Sequence, residues 1–316
     1  SWYRFLALVR AHKHQEAQRL IEQSPIISES HHEFRGAIDY WKGRMAELNN
    51  EPEKSQSYYR KVLRVRPNSI YALMIASRTR DLRDDFTDTL NDFLTPSGSQ
   101  PNSRASYSPR KGRKLASAAS SSDLFRISYH SANANRINID REFPIFSHRL
   151  TETLQNVRED DPLMLLSVMK AESRFNFDSI SWVGARGLMQ IMPYTGRSIA
   201  AEINDQEFHV SDLMQPELNI IYGSVYLNLL RARLSEPVFI AAAYNAGPKN
   251  LKRWLQRCQG CQLDEFIELI SFSETRNYVK KVLVNLASYN WIYHREPLKL
   301  DMKYVPSPSL IDDSIF

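Results

Sequence analysis

The stretch DDPLMLLSVMKAES, residues 160–173, restricts the local fold more than any other part of the chain. Asp161 stands where a helix N-cap belongs. Pro162 occupies the first helical position, where its missing N–H is no loss and its fixed φ is already helical. Apolar residues then recur at helical spacing. Leu165, Met169 and Glu172 fall at i, i+4 and i+7, on one face, so an acid is written into an apolar stripe. Similar segments follow downstream. PELNIIYGSVYLNLLRARL, residues 216–234, reads as a long amphipathic helix. EPVFIAAAYNAGP, residues 236–248, reads as a short helix of small residues ended by Gly247-Pro248. KNLKRWLQR, DEFIELI and SETRNYVKKVLVNLASYNWIY continue as helices. No convincing series of alternating strands interrupts them. The expected fold class is predominantly all-α.

Residues 1–92 also read as helix after helix. SWYRFLALVRAHKHQEAQRLIEQ places apolar residues at Phe5, Leu6, Val9, Leu20 and Ile21. EPEKSQSYYRKVLRVRPNS starts a helix near Pro52 and stops it at Pro67. The segment YWKGRMAELNNEPEKSQSYYRKVLRVRPNS resembles a tetratricopeptide-type helical pair. Only one such unit is visible, and about three are needed for independent stability. Either upstream repeats are missing or this region leans on the rest of the chain. Residues 96–122 then hold nine Ser, five Lys or Arg and no acid. Such a segment cannot bury enough apolar surface to fold, so residues 93–123 are expected to form a flexible basic linker. A second helical domain is expected over residues 124–305, and a loosely held tail over 306–316.

Charge and length narrow the function classes. The 316 residues carry a formal net charge of +5, with a pI of about 9.1. That excess is small for a dedicated nucleic-acid binder, and no nucleic-acid partner is expected. No apolar run approaches the roughly 18 residues of a membrane helix, so no transmembrane segment is expected. The chain begins at Ser1 with no signal-like stretch before it, and we read it as processed or trimmed. Cys258 and Cys261, in RCQGCQ, lack further ligands at zinc spacing. They form either a local disulfide across Gln259-Gly260 or two free thiols. The histidines are not read as ligands, because His12 and His14 point to different helix faces and His31 and His32 lie in a connector.

Glu172 is followed by a loop with two glycines, Gly184 and Gly187, which permit tight backbone approach. A carboxyl buried in apolar surroundings has a raised pKa and can serve as a general acid near neutral pH. Gln190 supplies an amide able to orient a hydroxyl or acetamido group. Met189 and Met192 offer soft apolar surface, although one of the two is expected in the core.

ESRFNFDSISWVGARGLMQIMP is similar to the first two motifs of the soluble lytic transglycosylases, with their goose-lysozyme-like catalytic domain. AYNAGP, residues 243–248, resembles the third motif. FSETRNYVKKVL, residues 272–283, resembles the fourth, and that of the large soluble branch in particular. The resemblance covers roughly residues 142–293. It implies a lysozyme-like helical domain that cleaves the β-1,4 bond between N-acetylmuramic acid and N-acetylglucosamine in peptidoglycan glycan strands. By the same resemblance, Glu172 first protonates the glycosidic oxygen. It then acts as base toward the muramic 6-hydroxyl, which closes a 1,6-anhydro ring. One acid suffices because the substrate supplies its own nucleophile, whereas an ordinary glycosidase needs two carboxyls. Ser181 and Gln190 match polar contacts to the sugar, and Met192 matches an apolar groove residue. Tyr244 and Asn245 match residues facing the acid, with the Tyr244 hydroxyl holding Glu172 in place. Glu274 and Tyr278, at i and i+4 on one helix face, match the groove wall. No metal or organic cofactor is implied. The resemblance also implies a periplasmic or cell-envelope location, and the N-terminal helices are a candidate surface for a protein partner.

The sequence departs from the family pattern at Ala171, where Gln is common, and at Phe177, where Pro is frequent. Asp178 keeps open a goose-lysozyme-type hydrolase, in which it would activate water. A non-catalytic, peptidoglycan-binding envelope scaffold is the third alternative.

Overall fold

The computed structural model describes residues 2–23, 35–94 and 161–311. The expected linker beyond residue 94 lies outside the described residues, as do residues 124–160 of the second expected domain and 312–316 of the expected tail. All regular structure among the described residues is helical, apart from two isolated β-bridges. In chain order the helices are α1 (Trp2–Arg10), α2 (His14–Gln23), α3 (Arg35–Leu48), α4 (Pro52–Val65), α5 (Ile70–Arg78) and α6 (Arg83–Leu94). After the undescribed stretch come α7 (Pro162–Glu172), α8 (Pro193–Glu202), α9 (Pro216–Arg231), α10 (Pro237–Ala246), α11 (Pro248–Arg257), α12 (Leu263–Leu269) and α13 (Ser273–His294). The predominantly all-α expectation holds. None of the described helices is long and apolar enough to cross a membrane.

The chain divides into two compact units. The first joins residues 1–95 to 254–276 and 297–307, and the second takes 96–253, 277–296 and 308–316. In the first unit, α3 and α4 form a hairpin across Asn49–Glu51. Asn50 sits there at φ 60, a left-handed conformation that asparagine tolerates well. Pro52 opens α4 as expected. Gly43 lets the two helices close up, because a Cβ there would fall 2.5 Å from the Tyr59 ring. Ser69 caps α5, its hydroxyl oxygen accepting from the Ala72 N–H at 3.2 Å.

The buried middle of this unit is polar as well as aromatic. The Tyr40 ring lies 5.9 Å from that of Tyr59 and 5.5 Å from that of Tyr71. The Tyr40 hydroxyl donates to Asp264 at 2.7 Å, and the Tyr71 hydroxyl donates to Glu268 at 2.8 Å. Arg78 donates to the same Asp264 oxygen, Oδ2, at 2.8 Å, with Arg44 3.5 Å from it. Both arginines also donate to Gln262 Oε1, at 3.0 and 2.9 Å. The start of α12 is thereby fastened to α3 and α5. Cys258 and Cys261 form a disulfide across a turn in which Gly260 has φ 74.

In the second unit, Asp161 caps α7 through its Oδ1 and the Met164 N–H at 3.0 Å, with Pro162 at the first helical position. Leu163 to Met169 are all buried. Asn285 of α13 donates to the Ser167 carbonyl at 3.1 Å, which fixes α7 against that helix. Gly247 ends α10 at φ 81, a conformation open to glycine. The expected loose tail begins with anchored residues, since Pro306 and Ile311 are both buried.

Candidate active site

Glu172 is the last residue of α7 and is half-buried. Leu165 and Met169, on the same face, are fully buried. The chain reverses at once after Ser173, through Arg174 at φ 53 and Phe175 at φ 64. Left-handed backbone costs non-glycine residues energy, and burial of the Phe175 side chain helps offset it.

The loop that follows is stitched into a small irregular ribbon. Ile180 bridges to Arg186, and Arg186 bridges in turn to Ile191. The Ser181 N–H donates to the Ala185 carbonyl at 2.9 Å, and Ser181 Oγ accepts from the Ala185 N–H at 2.9 Å. Gly187 is required at its position. It has φ 73, and a Cβ there would lie 2.5 Å from Asn219 Nδ2. Gln190 adopts φ 48. Its side-chain amide donates to the Ser179 and Gly187 carbonyls at 3.0 and 2.8 Å, which leaves Oε1 as the group it can offer a ligand. Met189 is fully buried against Gly223, whereas Met192, before α8, is half-buried. Of the two methionines, Met189 is therefore the core residue.

Two phenols stand with the acid. The Tyr244 hydroxyl, on α10, donates to the Met189 carbonyl at 2.8 Å, and its ring lies 5.1 Å from that of Tyr226. The residue as a whole is half-buried. Burial, then the Glu172 charge, then Tyr226 push this phenol well above its ordinary value. Tyr278, on α13, is buried and its hydroxyl makes no tight hydrogen bond. Its contact with the Glu172 carboxyl is a loose one. Burial first, then the Glu172 charge, and further the Tyr244 phenol and that contact, raise its pKa well above the ordinary value.

With this geometry in view, residues 150–266 match the family described as the transglycosylase SLT domain. Over those residues the chain is similar to a transglycosylase SLT domain. Sequence relatives carry names that agree with it. The soluble lytic murein transglycosylase of Escherichia coli K12 is 31% identical over 198 residues, which is 61% of this chain and 30% of that protein. Its counterpart in Salmonella typhimurium LT2 is 33% identical over 172 residues, 53% of this chain and 26% of that protein. The chain thus spans about a third or less of these relatives' length. The X-ray structure of an inactive Glu-to-Gln variant of the lytic transglycosylase Slt from Pseudomonas aeruginosa superposes with a TM-score of 0.63 at 20% identity. It covers 94% of this chain and 54% of that one, a likeness of fold.

Within the matched residues and the helices after them, the structure brings Glu172, Tyr244 and Tyr278 together and ties the Gln190 loop to α10. Ser181 sits at the base of the loop's exposed turn, and Asn245 is half-buried beside Tyr244. Glu274 is exposed in the first turn of α13, in the part of that helix assigned to the first unit, while Tyr278 belongs to the second. One expectation changes. The Tyr244 hydroxyl, expected to hold Glu172, gives its hydrogen to the Met189 carbonyl instead, because the loop packs that carbonyl against it. Asp178 is exposed, and its N–H donates to Asn176 Oδ1 at 3.2 Å. Asn219 was not anticipated. Its one trace in the sequence is a polar residue within the apolar run PELNIIYG.

Proposed function

We propose that this protein is a peptidoglycan lytic transglycosylase. It cleaves the β-1,4 bond between N-acetylmuramic acid and N-acetylglucosamine and leaves 1,6-anhydro-muramic ends. Glu172 gives its proton to the glycosidic oxygen as that bond breaks. The resulting carboxylate then takes the proton of the muramic 6-hydroxyl, whose oxygen bonds to the anomeric carbon. The proton returns to Glu172 and no water is consumed.

The observation that carries this proposal is the placement of Glu172. It is a half-buried acid closing an apolar helix, set among phenols and beside a loop that keeps the Gln190 Oε1 free for an acetamido or hydroxyl group. A general acid of this kind contributes about 10²–10⁴-fold to a rate. Ser181, Gln190, Met192, Tyr244, Asn245, Glu274 and Tyr278 are the proposed substrate-contacting set. We assign catalysis to residues 124–305. The tetratricopeptide-like region over 1–92, joined by the linker over 93–123, is the candidate site for a protein partner, and 306–316 is a tail. A substrate of this kind places the protein in the periplasm or cell envelope.

The deciding experiment digests purified sacculi and weighs the products. Lytic cleavage gives 1,6-anhydro ends, whereas a hydrolase gives products heavier by one water. A Glu172→Gln variant run in parallel should release almost nothing. Release of hydrated products by the native protein would overturn the proposal in favour of a hydrolase. No release at all would leave a glycan-binding scaffold.

A further inference from the structure

Asn219 lies one turn into α9, and its side chain is fully buried with every hydrogen-bonding group in use. Its Oδ1 accepts from the Met189 N–H at 2.7 Å. Its Nδ2 donates to the Arg186 carbonyl at 2.9 Å and to the Leu213 carbonyl at 2.8 Å. One amide therefore fixes the loop on both sides of Gly187 and ties it to the turn Val210–Met214. Gly187 has no Cβ because Asn219 occupies that space.

The consequence runs through Met189. Its N–H is held by Asn219, and its carbonyl, on the next peptide, receives the Tyr244 hydroxyl at 2.8 Å. That next peptide leads into Gln190, whose φ of 48 is a conformation non-glycine residues rarely keep unless their surroundings impose it. A carbonyl can only accept, so the hydrogen on Tyr244 is committed to it. What Tyr244 can then present to the site is oxygen lone pairs. Lone pairs match a carboxylic acid or a sugar hydroxyl, both of which bring a hydrogen, and they do not match a carboxylate. Tyr278, whose hydroxyl makes no tight bond, remains able to donate. The two phenols thus offer opposite partners to an acid that must exist in two states.

We propose that Asn219 is a positioning residue for the reaction. By holding the Met189 N–H it aims the Met189 carbonyl at Tyr244, and so fixes Tyr244 as an acceptor and Gln190 in its left-handed turn. This inference rests on the lytic transglycosylase reading given above. It adds a residue that touches neither the scissile bond nor the acid.

The test is a double-mutant cycle in the full chain, with kcat and KM for release of soluble muropeptides. Asn219→Ala and Tyr244→Phe should each lower kcat, the first by about 10²-fold, as expected when a reacting group is misplaced by about an ångström. KM should change little, because the lost interaction is one of alignment in the transition state. The double variant should be no slower than the worse single variant, since both act through the Met189 peptide. Asn219→Asp, protonated where it faces the Arg186 and Leu213 carbonyls, keeps the acceptor for the Met189 N–H and one of the two donated bonds, and should be clearly faster than Asn219→Ala even if it melts earlier. Multiplying effects in the double variant would overturn the proposal, as would an Asn219→Asp variant as slow as Asn219→Ala. Loss of cooperative melting in both Asn219 variants would also overturn it, because Asn219 would then serve the fold at large. The native protein's product mass, read in the same assay, reports separately on whether the reaction is transglycosylation.

Discussion

Asp264 in the first unit and Glu172 in the second are both acids set among tyrosines, and they are wired in opposite ways. Asp264, with a side chain 1% exposed, receives hydrogens from Tyr40, from Arg78 and from the Glu265 N–H, with Arg44 close by. Both of its oxygens are occupied by donors, a buried guanidinium among them, and hydrogen bonds to charged groups are the strong ones. Glu172 is half-buried beside a phenol whose hydrogen is committed elsewhere and another whose hydrogen is loosely aimed. The first acid fastens helices, whereas the second, on the function proposed above, gives up a proton and takes it back.

Substitution of each acid should therefore act on a different property. Glu172→Gln should lower glycan release by about 10⁴-fold, the upper end for a group serving as both acid and base. Its melting temperature should move little, as for most substitutions that bury no new unpaired group. Asp264→Ala should do the reverse. Removing one partner from a buried ion pair costs about 3–5 kcal/mol, because the arginines are left buried without their counter-charge. Thermal melting reads this, and hydrogen exchange should place the loss in α3, α5 and α12. A large drop in melting temperature for Glu172→Gln would break the contrast between the two acids.

The neighbourhood of Glu172 was legible in the sequence where it depended on local spacing. Asp161 and Pro162 set the start of α7, and the 3.6-residue period put Glu172 on the face of Leu165 and Met169. Gly187 and Gly247 marked backbone that has positive φ in the structure. What could not be read were partners far apart along the chain. Asn219 meets Arg186 and Met189 across 33 and 30 residues, and no periodicity links them. The Tyr244 hydroxyl was expected at Glu172, but its partner depended on how a loop 55 residues away packs. In the first unit, the chain reading from Asp264 back to Tyr40 crosses 224 residues. Burial of an arginine–carboxylate network is invisible in residues that individually look like surface charges.

The disulfide gives a smaller effect confined to the first unit. Cys258 and Cys261 close a loop of only four residues, for which the loop-entropy relation gives about 2 kcal/mol. Both sulfurs belong to buried residues, so a mild reductant should act slowly. Melting with and without a strong reductant measures the difference. Glycan release well below the melting temperature should not change. If reduction abolished glycan release while the protein remained folded, the stabilising role of the first unit and the catalytic role proposed for the second would not be separable.

The finest comparison is between phenols. Tyr40 is pushed well above its ordinary value by burial and then by the Asp264 charge, and Tyr278 by burial and then by the Glu172 charge. An unfolded chain has both near 10. Above pH 10 the unfolded state loses protons that the folded state keeps. The stabilisation is therefore complete below pH 10 and falls as pH rises through 10 toward the raised values. By pH 11 each phenol should cost about 1.4 kcal/mol. Replacement by phenylalanine removes that loss at either position, but the two variants should differ at neutral pH. Tyr40→Phe gives up a hydrogen bond to a carboxylate, worth about 1.5–3 kcal/mol. Tyr278→Phe gives up no tight bond, so it should match the native protein at pH 7 and exceed it by about 1.4 kcal/mol at pH 11. Denaturant titrations at the two pH values measure both differences. Equal losses at pH 7 would mean that the Tyr278 hydroxyl is fastened as firmly as that of Tyr40, and that the two phenols are not distinguished by their hydrogen bonds.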